Sequence, residues 1–452
     1  MSLQVRGAVA TIADFVTSAA IDPAARERAA TALRDTGGVM LAGASEPAAR
    51  MVQSMAADEG IGDCRIVSTS IRTSAELAAL ANGVAAHSLD YDDMCFVSLA
   101  HPSCVLVPAL LATGELVGAR PAALLDAYVV GFELECRLGN VMNPRHYHQR
   151  GWHCTSSIGT LGAAAAAARV LGLDPPAVQQ ALGIAASSAC GLKENLGTMV
   201  KPLHAGLAAR NGVMAARLAQ RGFTSSPHAI DGPQGYLAAM DSEQATLDNA
   251  VADLGIRWEI VETGITVKLY PSCAATHPPL DALIEMKRRE GFTADQIQAI
   301  DVEVDSMTPR LLIHPNPTTG LEAKFSMPFC AAAAMVYPRV GIDTFEVDHL
   351  QNPDVRSLMP RVTLRANEAF DRGAPLSQAR VTVRLRDGRA WSQAADGARG
   401  YPGRLTEEEL ATKFAGCAAR ALSAPAATAA WAALTALDRI TDVRELTAIL
   451  SV

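Results

Sequence analysis

Residues 161–173 read LGAAAAAARVLGL, with nothing bulkier than alanine between Leu161 and Arg169. Six consecutive alanines favour a helix. A helix with so little side-chain bulk gains its stability where neighbouring helices press closely against its backbone. The segment is therefore expected to be the central helix of a helical domain. The surrounding sequence agrees, since the first 260 or so residues are rich in alanine and leucine and read as successive helices. Asp22-Pro23 opens one, an N-cap followed by proline at the first helical position, and the paired glycines 37 and 38 are expected to end it. Thr73-Ser74 begins another toward His87, and further helices are expected over 104–117, 122–138, 156–171, 176–191 and 202–220. No fixed-period repeat is present, which argues against a solenoid.

The pattern changes near Glu262. Short β-branched stretches suggest strands over 265–269, 300–304, 361–364 and 379–385, the last running through Arg386-Asp387-Gly388 into a hairpin partner over 389–393. Helices fit 278–290 and 324–336. Beyond Pro402 the chain turns helical again, Thr406 and the glutamates after it forming a capping box. At 452 residues the chain is too long for one core. The expected fold class is mainly α: a large all-α helical domain formed by both chain ends (1–262 plus 404–452), with a smaller α+β lid domain inserted (263–403). Clefts between such domains are preferred ligand sites.

Charge and cysteine usage exclude several functions. Thirty-nine basic against forty-seven acidic residues give a net charge of −8, so no electrostatic reason to bind nucleic acid exists. No apolar run reaches the roughly 18–20 residues that span a bilayer; 105–112 and 161–170 read as buried helix. Asp14 follows the start too soon for a signal peptide. Nine scattered cysteines without a Cys-x-x-Cys pair suit reduced core thiols in a reducing compartment. A cytoplasmic location without membrane or nucleic-acid partners is expected. Dinucleotide-binding, Walker A, nucleophile-elbow and His-Glu-x-x-His signatures are missing.

Four compact polar segments remain. His87-Ser-Leu-Asp90-Tyr-Asp92-Asp93, followed by His101-Pro-Ser, is either a divalent-metal set or a solvated helix end. In Gly151-Trp-His153-Cys-Thr155-Ser the histidine lies near a helix N-terminus, whose dipole favours a neutral imidazole; it is either a base or a capping residue. In Gly197-Thr-Met-Val-Lys201-Pro-Leu-His204, Pro202 marks a helix start beside Lys201, a plausible carboxylate site or a solvated lysine. Lys268-Leu-Tyr-Pro-Ser-Cys-Ala-Ala-Thr-His277 puts a lysine and a histidine at opposite ends of a rigid loop.

Taken with 322–329 (EAKFSMPF), these segments resemble the MmgE/PrpD family, which contains 2-methylcitrate dehydratase, cis-aconitate decarboxylase and iminodisuccinate epimerase. The resemblance runs over nearly the whole chain. It implies a helical domain plus an α+β lid with the pocket between them, a homodimer, and chemistry without metal or organic cofactor. It implies catalytic roles for Asp90, His101, His153, Lys201 and His277. Met94 and Phe329 stand where the decarboxylase branch carries Thr and Tyr, and these lost hydroxyls point away from cis-aconitate decarboxylation. The stretch from Asp90 to His101 and the wording around Lys201 resemble the epimerase branch.

The shared chemistry is proton removal beside a carboxylate or imine, which needs a positioned neutral base and cations for the developing charge. His101, His153 and His277 are the acid–base candidates. Lys201 and Lys268 neutralise carboxylates, Lys201 doubling as a proton carrier, and Asp90 orients His101. Lys268, His204 and Thr155 are expected to bind substrate. The leading expectation is a cofactor-independent hydro-lyase acting on a small di- or tricarboxylate. An epimerase of a small dicarboxylate, a decarboxylase, a metallohydrolase and a non-catalytic binding protein are the rivals.

Overall fold

The computed structural model describes residues 7–60, 62–244, 246–372 and 378–451. The first six residues, part of the stretch read above against a signal peptide, lie outside them. The described chain is mainly helical with a four-stranded mixed sheet and a two-stranded antiparallel one, and it forms two compact units. One comprises residues up to Ser88, Asp92–Thr266 and Thr406 onward; the other comprises Leu89–Tyr91 and Val267–Leu405. The grouping of Leu89–Tyr91 with the second unit is not foreshadowed by any composition change. No single helix among the described residues is long and apolar enough to cross a membrane.

Six helices frame the first unit: α1 (Pro23–Gly43), α2 (Ala75–His87), α3 (Ser103–Val117), α4 (Pro121–Met142), α5 (Gly159–Val170) and α6 (Val200–Gln220). Asp22 caps α1 by accepting the Ala24 N–H at 2.7 Å, but the helix does not stop at Gly37-Gly38. It runs a further turn and more, because the glycines serve packing. A Cβ on Gly38 would lie 2.9 Å from the Phe414 ring, and one on Gly37 would touch Leu434. Helix α5 is buried from Gly159 to Ala168, as its small side chains require. The expected single helix over 156–171 is split at Ile158 into Cys154–Ser157 and α5. Helix α6 starts at Val200, two residues before Pro202, since proline is tolerated anywhere in a first turn whose N–H groups lack helical partners. Lys201 therefore belongs to that turn and does not precede it.

Helices α2 and α6 cross at close range. A Cβ on Gly83 would come within 2.7 Å of the Gly206 Cα, so the two backbones touch where both side chains are absent. His87 lies one turn beyond Gly83, and Lys201 lies little more than a turn before Gly206.

In the second unit the sheet order is β2-β1-β3-β4, with β1 (Ile297–Val304), β2 (Val362–Ala366), β3 (Ala379–Leu385) and β4 (Ala390–Ala395). β1 pairs parallel with β2, Ile300 opposite Val362, and antiparallel with β3, Val302 opposite Val381. Alternate residues of β3 are buried, so one face packs into an apolar core with α7 (His277–Glu290) and α8 (Met327–Val336). Gly388, at φ +90°, makes the expected turn into β4. Two expectations fail. The stretch 265–269 is not a strand: Thr266 bridges Met94, whereas the Val267 N–H goes to Gly400, so no continuous ladder forms. The helix expected over 324–336 begins only at Met327, where Ser326 caps it through the Phe329 N–H and Pro328 occupies the first turn.

Candidate active site

In the first unit, the C-terminus of α2 delivers His87 and the following turn folds Asp92 back onto it. His87 Nδ1 lies 2.7 Å from Asp92 Oδ2, both side chains fully buried. Burial works against charge on Asp92, but His87 and His101 outweigh it and hold the carboxyl well below its usual range. Burial also drives His87 down to about 3, against the pull of Asp92. The pair is therefore a carboxylate and a neutral imidazole. An ionised carboxylate only accepts, so His87 carries its proton on Nδ1. Its Nε2 then accepts from Lys201 Nζ at 3.0 Å.

His101 sits before α3 with its ring 4.8 Å from that of His87. Its Nδ1 is 2.8 Å from the Asp93 carbonyl and 3.3 Å from Asp92 Oδ2. Both partners are acceptors, so His101 also carries its proton on Nδ1. Asp92, not named among the site residues from sequence, thus contacts two imidazoles. Thr155, expected to bind substrate, is fully buried, and its hydroxyl accepts the backbone N–H of His101 at 3.0 Å. That contact holds the loop. That loop departs from ordinary backbone at Leu99, which has φ 51°.

His153 stands at the N-cap position of the short helix Cys154–Ser157, without a side-chain cap, and stacks 5.9 Å from His87. It lies well below the ordinary histidine range, because of burial first and the neighbouring His87 and Lys201 second. Burial, more than the helix dipole invoked from sequence, keeps it neutral. His153 Nδ1 and His204 Nδ1 are 3.1 Å apart, so one donates and the other accepts. His204 is likewise lowered by burial and then by Lys201. Lys201, His101, His153 and His204 are thus brought together, with His87 and Asp92 as additions.

Asp93 ionises oppositely to its neighbour. Burial pushes it well above the usual range despite hydrogen bonds from Ser103, whose hydroxyl also meets Tyr128 at 2.6 Å. One acid faces imidazoles and stays charged; the next faces hydroxyls and keeps its proton. His87, Asp92 and Cys104 place potential ligand atoms within 4.8 Å of one another. That set suits a metal poorly, because His87 Nε2 faces the Lys201 ammonium and burial raises the Cys104 thiol well above its ordinary value.

In the second unit, Lys268 is almost fully buried and donates at 3.0 Å to both the carboxylate and the carbonyl of Asp90. Asp90 has φ 52°. Sequence reasoning gave Asp90 the task of orienting His101; in the second unit Asp90 meets Lys268, and in the first unit Asp92 meets His101 as well. His277 begins α7, where Nε2 donates to the Ser272 carbonyl at 3.3 Å and the ring meets Tyr270 edge-on. Phe329 is buried against Phe345.

Comparison with known proteins matches residues 10–247 to the MmgE/PrpD N-terminal domain and residues 270–439 to the MmgE/PrpD C-terminal domain. Among curated relatives, the cis-aconitate decarboxylase-like protein oryM of Aspergillus oryzae is 29% identical, over 90% of this chain and 88% of its own. The cis-aconitate decarboxylase of Mus musculus is 30% identical over 76% of this chain and 72% of its own. That of Homo sapiens is 29% identical over 78% and 74%. With both domains matched in order along most of its length, the chain belongs to the MmgE/PrpD family.

Proposed function

We propose that the protein is a lyase of small carboxylic acids that works by moving a proton at a carbon next to a carboxylate, and that its reaction is of the hydro-lyase type on a di- or tricarboxylate. The observation that carries this reading is the buried array Asp92–His87–Lys201, with two further imidazoles, His101 and the neutral His153, packed against His87. An α-proton is removed only if a neutral base is in place and the resulting carbanion meets positive charge. Lys201 supplies the charge to a substrate carboxylate, and His101 or His153 takes the proton. Loss of a β-hydroxyl from the carbanion completes a dehydration.

Two other exits use the same first step. Return of the proton to the opposite face is epimerisation, which the resemblance of the Asp90–His101 stretch favours. Loss of carbon dioxide is the reaction in the names of the curated relatives; Met94 and Phe329, lacking hydroxyls, weigh against it. Incubation with methylcitrate, citrate, cis-aconitate and aspartate-derived diacids in deuterium oxide, read by NMR, separates the three. A new alkene supports the hydro-lyase, exchange alone the epimerase, and carbon dioxide release the decarboxylase. No change in any acid overturns the reading.

Catalytic Asp90 and His277, substrate-binding Lys268, His204 and Thr155, homodimeric assembly, a cytoplasmic location and the division at 263 and 404 belong to the same proposal. Lys268→Ala and His277→Asn decide whether those two side chains contribute to turnover. Full activity after exhaustive chelation, with no stoichiometric metal by elemental analysis, is the outcome expected of a metal-independent enzyme.

A further inference from the structure

We infer that Asp92 is a positioning residue that acts on Lys201 through His87. The inference rests on the proposed proton chemistry for its consequence in turnover, but not for its geometry. Lys201 Nζ is 3.0 Å from His87 Nε2, and the opposite ring nitrogen is 2.7 Å from Asp92 Oδ2. An ammonium can only donate, and an ionised carboxylate can only accept. The imidazole between them is therefore held in one tautomer, with its proton on Nδ1 and its lone pair on Nε2 aimed at the lysine. If that proton moved to Nε2, the ring would present a hydrogen to the ammonium and turn it away. The carboxylate 2.7 Å from Nδ1 prevents this.

His87 and Asp92 are fully buried, so water does not replace a missing partner between them, while Lys201 keeps a small exposed face. Within the first unit, the groups that face His87 include Asp92, Lys201, His101 and His153, and those that face Asp92 include His87, His101, Asp93, Asp35 and Cys104. Of these groups around His87, Asp92 is the one that carries negative charge, and its Oδ2 is the atom at hydrogen-bond distance from Nδ1. His101 has a second anchor in the Asp93 carbonyl, so the loss of Asp92 falls chiefly on His87 and, through it, on Lys201. The arrangement follows the logic of a triad in which a buried acid fixes the tautomer of a histidine that in turn serves the reacting group. Here the served group is a lysine.

The test uses the full chain with 15N-labelled histidine and no substrate. In the wild type His87 reads as a single Nδ1–H tautomer with a strongly downfield Nδ1 proton. In Asp92→Ala that signature is lost, and in Asp92→Asn, which keeps the shape and one acceptor oxygen, the Nδ1 proton moves upfield. With whichever acid of the deuterium panel the wild type turns over fastest, Asp92→Ala lowers kcat/KM at least about tenfold. Asp92→Ala combined with His87→Gln loses no more than the worse single variant, because both break one chain. An unchanged His87 signature in both Asp92 variants, or losses that multiply in the double variant, overturns the inference. If Asp92→Ala does not fold, the Asp92→Asn spectrum decides alone. If no acid of the panel reacts while the spectra change as expected, the proposed reaction falls and the positioning role of Asp92 stands.

Discussion

A buried ammonium is costly unless something balances it, and in this protein the balance for Lys201 is an imidazole backed by a carboxylate. A substrate carboxylate placed against Lys201 gains a charge-assisted hydrogen bond worth about 1.5–3 kcal/mol. Lys201→Ala should therefore lower kcat/KM at least about tenfold, while the melting temperature shifts little, since removing a buried charge also removes its desolvation cost. Lys201→Arg should recover only part of the activity, because a planar fork does not reproduce a point donor facing one ring nitrogen. Steady-state kinetics beside thermal melts read both, and equal losses of activity and melting temperature would return Lys201 to a structural role. At this scale the sequence shows which residue types matter but not which of several equivalents does the work. Lys201, His101, His153 and His204 are legible as polar residues in compact motifs. Asp92 is not distinguishable from Asp90 or Asp93 in the string, because the distinction depends on how the turn after α2 folds back. Nor can sequence show that adjacent acids ionise oppositely, since that depends on whether imidazoles or hydroxyls face each one.

Helix α2 carries His87 and helix α6 carries Lys201, so the crossing of these two helices sets the 3.0 Å contact between them. The backbones touch at Gly83 and Gly206. Gly83→Ala inserts a methyl where 2.7 Å is available and the obstructing atom is backbone. Overpacking of this kind costs about 1–3 kcal/mol. It should also separate the helices, so Gly83→Ala is expected to lose stability and turnover together, where Lys201→Ala loses turnover alone. Denaturant midpoints measured beside kcat/KM distinguish the two patterns. Element positions are the most legible layer of this chain. Capping residues Asp22, Ser74 and Thr406 mark helix starts, and Arg386-Asp387-Gly388 marks the hairpin. Two of the misreadings turn on a glycine pair or a proline read as a helix boundary. Gly37 and Gly38 make room for Leu434 and Phe414, and Pro202 lies inside a first turn.

Across the whole molecule, the buried acids carry a consequence for stability. Burial raises Asp93 and Glu135 well above their ordinary values, Glu133 to about 7, and Asp35 in the same direction. Both Glu135 oxygens lack a hydrogen-bond partner among the described residues. Each such acid favours the fold fully below its unfolded value near 4 and loses that contribution as pH rises through its folded value. His87 and His153, lowered by burial, act oppositely: their penalty appears as pH falls below about 6.5, where unfolded histidine takes up a proton. Between about 4.5 and 6.5 the two sets oppose each other, and above that window only the acids remain. Stability should therefore fall between pH 6.5 and 8.5, and Glu135→Gln should make the decline shallower. Calorimetric melts across that range check this, and a curve that rises with pH would contradict it.

The buried face of α1 is completed from the far end of the chain. Asp35 pairs with Lys413 at 2.6 Å, Gly38 faces Phe414 and Gly37 faces Leu434. A ribosome makes α1 long before the helix Glu407–Ala418. Until that later segment emerges, α1 has an uncovered groove and an acid whose lysine does not yet exist. The first unit therefore closes only once the chain has been made through Leu434.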